Sequence, residues 1–368
     1  MRTVVITDGK YRSSIAAARA LGRAGYHIVI TQTRGDSPSE PPVFASRYVS
    51  GTQWIDGKTS DPDYADRLLN VLRDYDHPVL LCVGADTLNT VSKHMEQFSD
   101  ASDFLIAKPE ILDALNDKEA VHHRCIELGI AVPMQFNETP TKFPVIIKPH
   151  CGEKHGLKAA DRYAVARNVQ EFEHFFSKMK HYDSAPIVQE KISGCGSGVS
   201  LLLDSQSQLL SAICHRRIRE YPITGGPSTC CESFYDADMI DKAYRLLQSF
   251  GFVGMAMVEF KGDRVLEVNP RIWGSFPMTD CAESPFVRKY VLAASGEPSL
   301  YQPCDYKTGV RMRFLLNDSF AILQYLRHGA VSEFCTGIRD IFTAKEALSS
   351  REDPAPMRKY LAQYLKRR

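Results

Sequence analysis

Residues 257–271 have the sequence Met-Val-Glu-Phe-Lys-Gly-Asp-Arg-Val-Leu-Glu-Val-Asn-Pro-Arg, two apolar-rich runs around a short polar turn. This pattern predicts a β-hairpin, and its register decides which side chains meet, because successive side chains point to opposite faces. A two-residue turn at 262–263 would pair Glu259 with Leu266 and mix the two faces. A three-residue loop at 261–263 separates them and is therefore predicted. It places Val258, Phe260, Leu266 and Val268 on a buried face, and Glu259, Glu267 and Asn269 on the opposite face.

The three side chains on the opposite face offer oxygen ligands only. Carboxylate and amide oxygens suit Mg²⁺, whose coordination shell phosphate oxygens and water would complete. The alternative is a hairpin whose solvent face carries acids by chance. Arg271, two residues after Asn269, favours the metal site, because a guanidinium beside a metal suits an anion or a developing oxyanion.

Two lysines and a glycine-containing loop lie upstream of the hairpin. Lys148 ends a strand predicted over 143–148, and Lys118 begins a helix predicted over 117–128. Neither lysine by itself indicates a function. A lysine at the end of a strand can extend its ammonium group into water, and a lysine at the start of a helix is equally common. The loop at 150–156 could fold its amides over phosphates, or it could be a plain hairpin tip.

Two further segments allow a functional and a plain interpretation. Residues 189–192 end a strand predicted over 186–192, where exposed amides and carbonyls could bind an adenine edge; the alternative is a simple connection into the glycine-rich stretch 194–198. The basic run 215–219 precedes Gly225-Gly226. It is either a solvated charge run or, beside a metal–phosphate site, a clamp for an acyl phosphate or a carboxylate.

The first hundred residues alternate strand-like and helix-like segments. This rhythm predicts a parallel sheet in an α/β domain that ends near residue 106. The predicted strands are 3–7, 27–31, 78–83 and a short one around Tyr48-Val49, and the predicted helices are 13–25 and 64–75. Farther along, strands are predicted at 163–166, 199–203, 209–215 and 309–315, and helices at 168–178 and 238–250.

Composition narrows the class of protein. A chain of 368 residues with 44% hydrophobic content can fill the cores of two or three domains. Its 45 basic and 44 acidic residues imply no broad nucleic-acid surface. No apolar run is long enough for a transmembrane helix, and the N-terminal apolar run is too short for a signal peptide. Ten dilute cysteines then favour reduced thiols in the cytoplasm.

Five segments in order resemble the ATP-grasp superfamily over nearly the whole chain: Asp117-Lys118, 143–149, 188–194, 258–260 and 266–271. The arginine pair before Gly225-Gly226, together with 269–275, is similar to the carbamoyl-phosphate-synthase-like carboxylate–amine ligases, which include D-aspartate ligases. The resemblance implies an α/β fold with an N-terminal parallel-sheet (pre-ATP-grasp) domain and a two-lobed α+β ATP-grasp fold. The expected ranges are 1–106 for the first domain, 107–186 for the small lobe with its linking helix, 187–300 for the large lobe, and 301–368 for an extension that completes the large lobe.

The resemblance also implies a role for each matching position. ATP phosphates would contact Lys118 and Lys148, and the adenine pocket would be lined by Gln189, Glu190, Lys191 and Ile192. The metal, Mg²⁺ or alternatively Mn²⁺, would be held by Glu259, Glu267 and Asn269. The acyl phosphate would be stabilised by Arg271, with Arg216 and Arg217. Relatives bind the ribose with an acid that is missing from 194–198, where Ser197 is the substitute.

The implied reaction is phosphorylation of a carboxylate by ATP and then attack by an amine, which gives an amide, ADP and phosphate. The expected partners are small carboxylates and amines, amino acids among them, and a homodimer is left open. Arg216, Arg217, Arg219, Gly225-Gly226 and Trp273 are expected to shape the acceptor pocket. Three rivals remain: an NAD-linked oxidoreductase, although residues 8–11 lack the GxGxxG turn; a non-catalytic ATP-binding module; and a carboxylase that works through carboxyphosphate.

Overall fold

The computed structural model describes residues 2–150, 163–223 and 225–366. The strands in this part of the chain are β1 Thr3–Ile6, β2 His27–Thr33, β3 Gly51–Ile55, β4 Val79–Leu81, β5 Val145–Lys148, β6 Ala164–Ala166, β7 Ile187–Glu190, β8 Gly196–Leu203, β9 Leu209–Glu220, β10 Ser228–Phe234, β11 Gly254–Lys261, β12 Arg264–Asn269, β13 Arg311–Arg313 and β14 Lys345–Glu346. The α-helices are α1 Arg12–Arg23, α2 Tyr64–Arg73, α3 Ala85–Lys93, α4 Met95–Ser99, α5 Pro109–Asn116, α6 Lys118–Glu127, α7 Val169–Lys180, α8 Ala237–Ser249, α9 Pro277–Cys281, α10 Phe286–Ala294, α11 Leu315–Arg327, α12 Val331–Thr343 and α13 Ala355–Lys366.

The first sheet has the order β3-β2-β1-β4, and its strands are parallel. After β1 the chain enters α1, and the buried face of this helix packs on the sheet. The helix carries the chain back to the start of β2, a crossover that parallel strands require. The predicted parallel α/β arrangement is confirmed. One detail was wrong: the short strand lies at β3, a few residues after Tyr48-Val49, where Thr52 to Ile55 supply β-branched and aromatic side chains.

The second sheet has the order β12-β11-β8-β9-β10-β13-β14, and the third has the order β6-β5-β7. Both are antiparallel except for the β13–β14 pair. Strand β10 was not predicted, and β9 runs five residues beyond the predicted end at His215. The basic run therefore lies inside a strand, which alternates its arginines between two faces.

The β11–β12 hairpin combines a tight turn with a bulge. Lys261 pairs with Arg264, so the turn has two residues, and the predicted three-residue loop is wrong. The register then shifts, because Phe260 pairs with Val265 while Glu259 pairs with Glu267. Leu266 is the extra residue of this β-bulge. The two acids share a face, as predicted, and the bulge makes them direct cross-strand partners. Val265 is buried and Leu266 turns toward the face of the acids, the reverse of the prediction for Leu266.

Clusters of buried hydrophobic side chains pack the sheets against each other and against the helices. One cluster of buried side chains includes Val4 and Ile30 of the first sheet, Met255 of the second sheet, and Met312 and Met357 near the C-terminus. A second cluster packs α8 and the region of α6 against β8, β9 and β11. The expected boundaries at 106, 186 and 300 stay predictions. Among the described helices, none has the length and apolarity needed to cross a membrane.

Candidate functional site

A cleft of ≈ 900 Å³ opens between the second sheet, the third sheet and the helices α3 and α5. One wall is the open face of the β11–β12 hairpin, a second is formed by β5 and β7, and a third by the first turns of α3 and by α5. The structure brings most of the predicted site residues to this cleft: Lys118, Lys148, Gln189, Glu190, Lys191, Ile192, Arg217, Glu259, Glu267, Asn269 and Arg271.

The predicted metal ligands lie together on the hairpin wall. Glu259 and Glu267 are direct cross-strand partners, so their side chains share a face. The side-chain amide of Asn269 donates to Glu259 Oε1 at 3.2 Å, which leaves the amide oxygen for another partner. Two carboxylates and one amide oxygen form a hard donor set that fits Mg²⁺.

Each of these carboxylates has a cation beside it. Arg217 donates from Nη2 to Glu259 Oε2 at 2.5 Å, and Lys118 Nζ lies 3.1 Å from Glu267 Oε2. Burial raises the pKa of Glu259; Arg217 opposes this shift and Glu267 adds to it. For Glu267, burial also raises the pKa, but the charges of Lys118 and Lys148 outweigh it, and the net shift is downward.

Lys148 lies deep in the cleft. Its burial lowers the pKa of the ammonium group to about 8; Glu267 opposes that shift, while the like charge of Lys118 adds to it. Lys118 is held at the first position of α6, because the Asp117 side chain caps this helix through the backbone N–H groups of Glu119 and Ala120, at 2.8 and 3.3 Å. The two lysines thus present positive charge beside the acids, an arrangement suited to phosphate.

The segment predicted to contact adenine lies along the β7 side of the cleft. The Glu190 carboxylate is occupied: it is paired with Arg264 and accepts from the backbone N–H of Met134 at 2.9 Å. This pairing joins the small sheet to the β11–β12 hairpin. Leu266, displaced by the bulge, lines the same part of the cleft and provides an apolar surface there.

Two predicted site residues, Ser197 and Arg216, lie on the face of the second sheet opposite to Glu259 and Glu267. Ser197 pairs with Phe260 and with Arg216, whereas the neighbouring residue Gly198 pairs with Glu259. Since paired residues share a face, Ser197 and Arg216 point away from the metal ligands and do not line the cleft. Arg216 is instead paired with Glu232. The structure therefore does not bring Ser197 or Arg216 to the cleft, where their predicted contacts with ribose and acyl phosphate would have to form.

Two residues expected around the acceptor are also structural. A β-bulge at Ile218 brings Arg219 to the same side as Arg216, where it is buried and forms ion pairs with Asp318 at 2.8 Å and Asp340 at 2.6 Å. Trp273 is 2% exposed and packs edge-on against Phe276 and Phe286 in the core. Gly225 and Gly226 do line the cleft.

Tyr163 and Asp86 are cleft residues that the sequence patterns did not reveal. Tyr163 reaches the β9–β10 connection, since a Cβ on Gly225 would lie 1.9 Å from the Tyr163 hydroxyl. Gly225 has a φ of +134°, a conformation that favours glycine at this position. Asp86 follows β4 at the carboxyl edge of the first sheet. That edge is where open α/β sheets bind ligands, and this signal could have identified Asp86.

Of the predicted phosphate-binding loop at 150–156, only His150 lies within the described residues. Its ring nitrogens lie 2.9 Å from Asp183 Oδ2 and 2.8 Å from Glu119 Oε2. Burial lowers the pKa of His150, but hydrogen bonds to Asp183 and Glu119 outweigh this effect and raise it overall. His150 therefore links the segment after β5 to α6, and the remainder of that prediction lies outside the described residues.

The donor set suits a metal that arrives with further oxygen ligands. Among the described residues, no group of three or more His, Cys, Asp and Glu side chains could hold a metal ion. The hairpin supplies two carboxylates and an amide, and surrounding cations supply phosphate-binding charge. The residues present therefore fit a magnesium-bound polyphosphate better than a bare ion.

Comparison with known proteins gives the same fold. Residues 115–275 match a family model described as an ATP-grasp domain. A biotin carboxylase–beta-gamma-ATP complex from Campylobacter jejuni aligns with a TM-score of 0.63 and 13% identity over 84% of this chain and 74% of that chain. The biotin carboxylase domain of the Hydrogenobacter thermophilus 2-oxoglutarate carboxylase, in complex with MgADP, ADP and bicarbonate, aligns with a TM-score of 0.63 and 11% identity over 84% of this chain and 73% of that chain.

An L-amino acid ligase from Bacillus licheniformis aligns with a TM-score of 0.54 and 14% identity, covering 80% of this chain and 74% of that chain. At these sequence identities, the structural similarities establish the fold. A search of curated proteins by sequence finds no match.

Proposed function

Because the chain belongs, through residues 115–275, to the ATP-grasp superfamily, we propose that it is an ATP-dependent ligase that joins a carboxylate to an amine. The observation that carries this proposal is the pairing of Glu259 with Glu267 opposite Lys118, Lys148 and Arg217 in one cleft. Acidic metal ligands and cationic phosphate ligands at one place are what phosphoryl transfer requires.

In the first step, a carboxylate oxygen of the substrate bonds to the γ-phosphorus of ATP while the bond to the bridging oxygen breaks and ADP leaves. Lys118 and Lys148 bind the phosphates and hold the γ-phosphorus so that the attacking oxygen and the leaving bridging oxygen are in line through it. Mg²⁺, held by Glu259, Glu267 and Asn269 and replaceable by Mn²⁺, would neutralise the charge that develops on the phosphate oxygens.

In the second step, the amine nitrogen attacks the acyl carbon, the bond from this carbon to the phosphate oxygen breaks, and the nitrogen loses a proton. Arg271 and Arg217 stabilise the oxyanion and the departing phosphate by charge-assisted hydrogen bonds. Asp86 and Tyr163 also line the cleft and would contribute to the acceptor site. The products are an amide, ADP and phosphate.

The test is amine-dependent release of ADP and phosphate across a panel of amino acids. Glu267→Gln removes one metal ligand and is expected to lower turnover by about 100-fold or more. The matched control is Asp263→Asn, which also replaces a carboxylate with an amide but lies in the exposed turn of the same hairpin. This variant is expected to keep wild-type turnover. Full turnover by Glu267→Gln with Mg²⁺ would overturn the metal site.

A second candidate is a carboxylase that makes carboxyphosphate from bicarbonate. This candidate comes from the biotin carboxylase structures, one of which aligns at a TM-score of 0.63 and 13% identity, beside 0.54 and 14% for the amino acid ligase. Bicarbonate-dependent ADP release in the absence of any amine, increased by free biotin, would support this reaction over amide formation. A chain that binds ATP but releases no ADP in either assay would be a binding module. A homodimer stays a prediction.

A further inference from the structure

The two acidic metal ligands are engaged by this chain's own cations. Arg217 approaches Glu259 at 2.5 Å, with 26% and 16% of the two side chains exposed. Lys118 approaches Glu267 at 3.1 Å, with 19% and 33% exposed. Solvent and salt screen these partly buried ion pairs less than surface pairs, so each pair is held more strongly. Arg217 and Lys118 therefore have to be displaced before a cation can bind the carboxylates.

A divalent ion arriving alone therefore meets an unfavourable site. It would have to push Arg217 and Lys118 aside and leave their charges beside its own, with Lys148 also close. Mg²⁺ in addition gives up its water reluctantly, and two carboxylates with one amide do not complete its shell.

A triphosphate changes this balance. Its oxygens are alternative partners for the guanidinium and ammonium groups, and each group can turn to phosphate without leaving an unpaired charge. Arg217 also has a second anchor, because its Nη1 lies 3.5 Å from Glu220 Oε1. The nucleotide thus frees the carboxylates and brings the missing oxygen ligands at the same time.

We propose that Arg217 and Lys118 close the metal site in the free protein, so that the divalent ion enters only together with the nucleotide. This inference rests on the proposed function, since it takes Glu259 and Glu267 as the metal ligands. Reciprocity then requires that the metal raise nucleotide affinity by the same factor as the nucleotide raises metal affinity.

Equilibrium dialysis with Mn²⁺ tests the proposal on the whole protein. Protein-bound Mn²⁺ is measured alone and with ADP, whose manganese complex passes the membrane freely. We expect metal affinity to be at least about tenfold tighter with ADP. Equal affinity with and without ADP would overturn the inference and leave the proposed function standing. No bound Mn²⁺ in either case would overturn the metal site itself.

Neighbouring arginines supply a matched pair of variants. Arg217→Met should allow Mn²⁺ to bind without nucleotide, with an affinity at least about tenfold above wild type, because Glu259 loses its cation. Arg216→Met is the control, since Arg216 lies on the opposite face with Glu232 and should leave Mn²⁺ binding unchanged. Lys118→Met, on a separate helix, should repeat the effect through Glu267. Wild-type behaviour of both Arg217→Met and Lys118→Met would contradict the assigned role.

Discussion

At the scale of single residues, Lys148 shows how burial prepares a group for an anion. The lysine ends β5 deep in the cleft, where removal from water lowers its pKa to about 8 and Glu267 offsets this only in part. A bound phosphate would favour the protonated form and raise the pKa again. Protonation of Lys148 and nucleotide binding are therefore linked.

ADP affinity should fall as the pH rises through about 8, by up to about tenfold between pH 7 and pH 9, because the neutral amine no longer attracts phosphate. Stability of the free protein should change in the opposite direction over the same range. The unfolded lysine keeps its proton to higher pH, so unfolding takes up a proton and becomes less favourable as pH rises. Calorimetric ADP titration and denaturant unfolding measure the two trends.

Lys148→Arg is the control for both trends, because its guanidinium stays charged at these pH values. With this variant, ADP affinity should be flat from pH 7 to pH 9. A wild-type decline that persists in Lys148→Arg would assign the titration to another group.

At the scale of elements, the bulge in the β11–β12 hairpin determines the composition of the cleft. A regular two-residue hairpin would pair Glu259 with Leu266, and the extra residue restores the pairing of Glu259 with Glu267. It also places two neighbours on different faces: Val265 is 2% exposed in the core, and Leu266 lines the cleft. Because of the bulge, Leu266 provides an apolar contact beside the metal ligands while Val265 still fills its position in the core.

Val265→Ala and Leu266→Ala should separate stability from binding. Val265→Ala is expected to lower the free energy of unfolding by about 1–3 kcal/mol, because it leaves a cavity in the core, and to keep ADP affinity. Leu266→Ala should change stability by less than about 1 kcal/mol and weaken ADP binding several-fold. The reverse assignment of effects would favour the regular three-residue loop over the bulged register. Unfolding curves and ADP titrations give the two quantities.

At the scale of the whole molecule, the segment after β14 is bound to the N-terminal region around the first sheet. Arg19 on α1 donates to Asp353 Oδ2 at 2.9 Å, and both side chains are nearly inaccessible to water. Asp353 also accepts from Ser46 Oγ at 2.8 Å and from the backbone N–H of Arg47 at 3.0 Å. One buried carboxylate thus binds two segments of the N-terminal region, α1 and the stretch before β3.

Asp353→Ala should lower the free energy of unfolding by about 3–5 kcal/mol, because it leaves the Arg19 guanidinium buried without its carboxylate. Glu352→Ala, at the exposed neighbouring position, should cost less than about 1 kcal/mol. Denaturant unfolding of both variants measures the difference. A loss of similar size in the two variants would mean that the buried pair contributes no more than a surface contact.

The sequence by itself determined the parts of this protein that follow from local patterns. Apolar spacing around Gly262 predicted that Glu259, Glu267 and Asn269 share one face of the hairpin, because a regular two-residue turn would mix acids and apolar side chains. The direct pairing of Glu259 with Glu267 came from the bulge, which this spacing did not predict. The cap at Asp117 determined where α6 begins and so where Lys118 lies. The alternation of strands and helices in the first hundred residues determined a parallel sheet.

Only the tertiary structure decided which arginine of the basic run belongs to the cleft. Both faces of β9 are covered along most of the strand, so its sequence shows no apolar–polar alternation from which a face could be assigned. Pairing with β8 and β10 decides it: Arg216 lies in the row with Phe260, and Arg217 lies beside Glu259. The faces of a strand buried on both sides are set by its neighbours, and that information is distributed over distant parts of the chain.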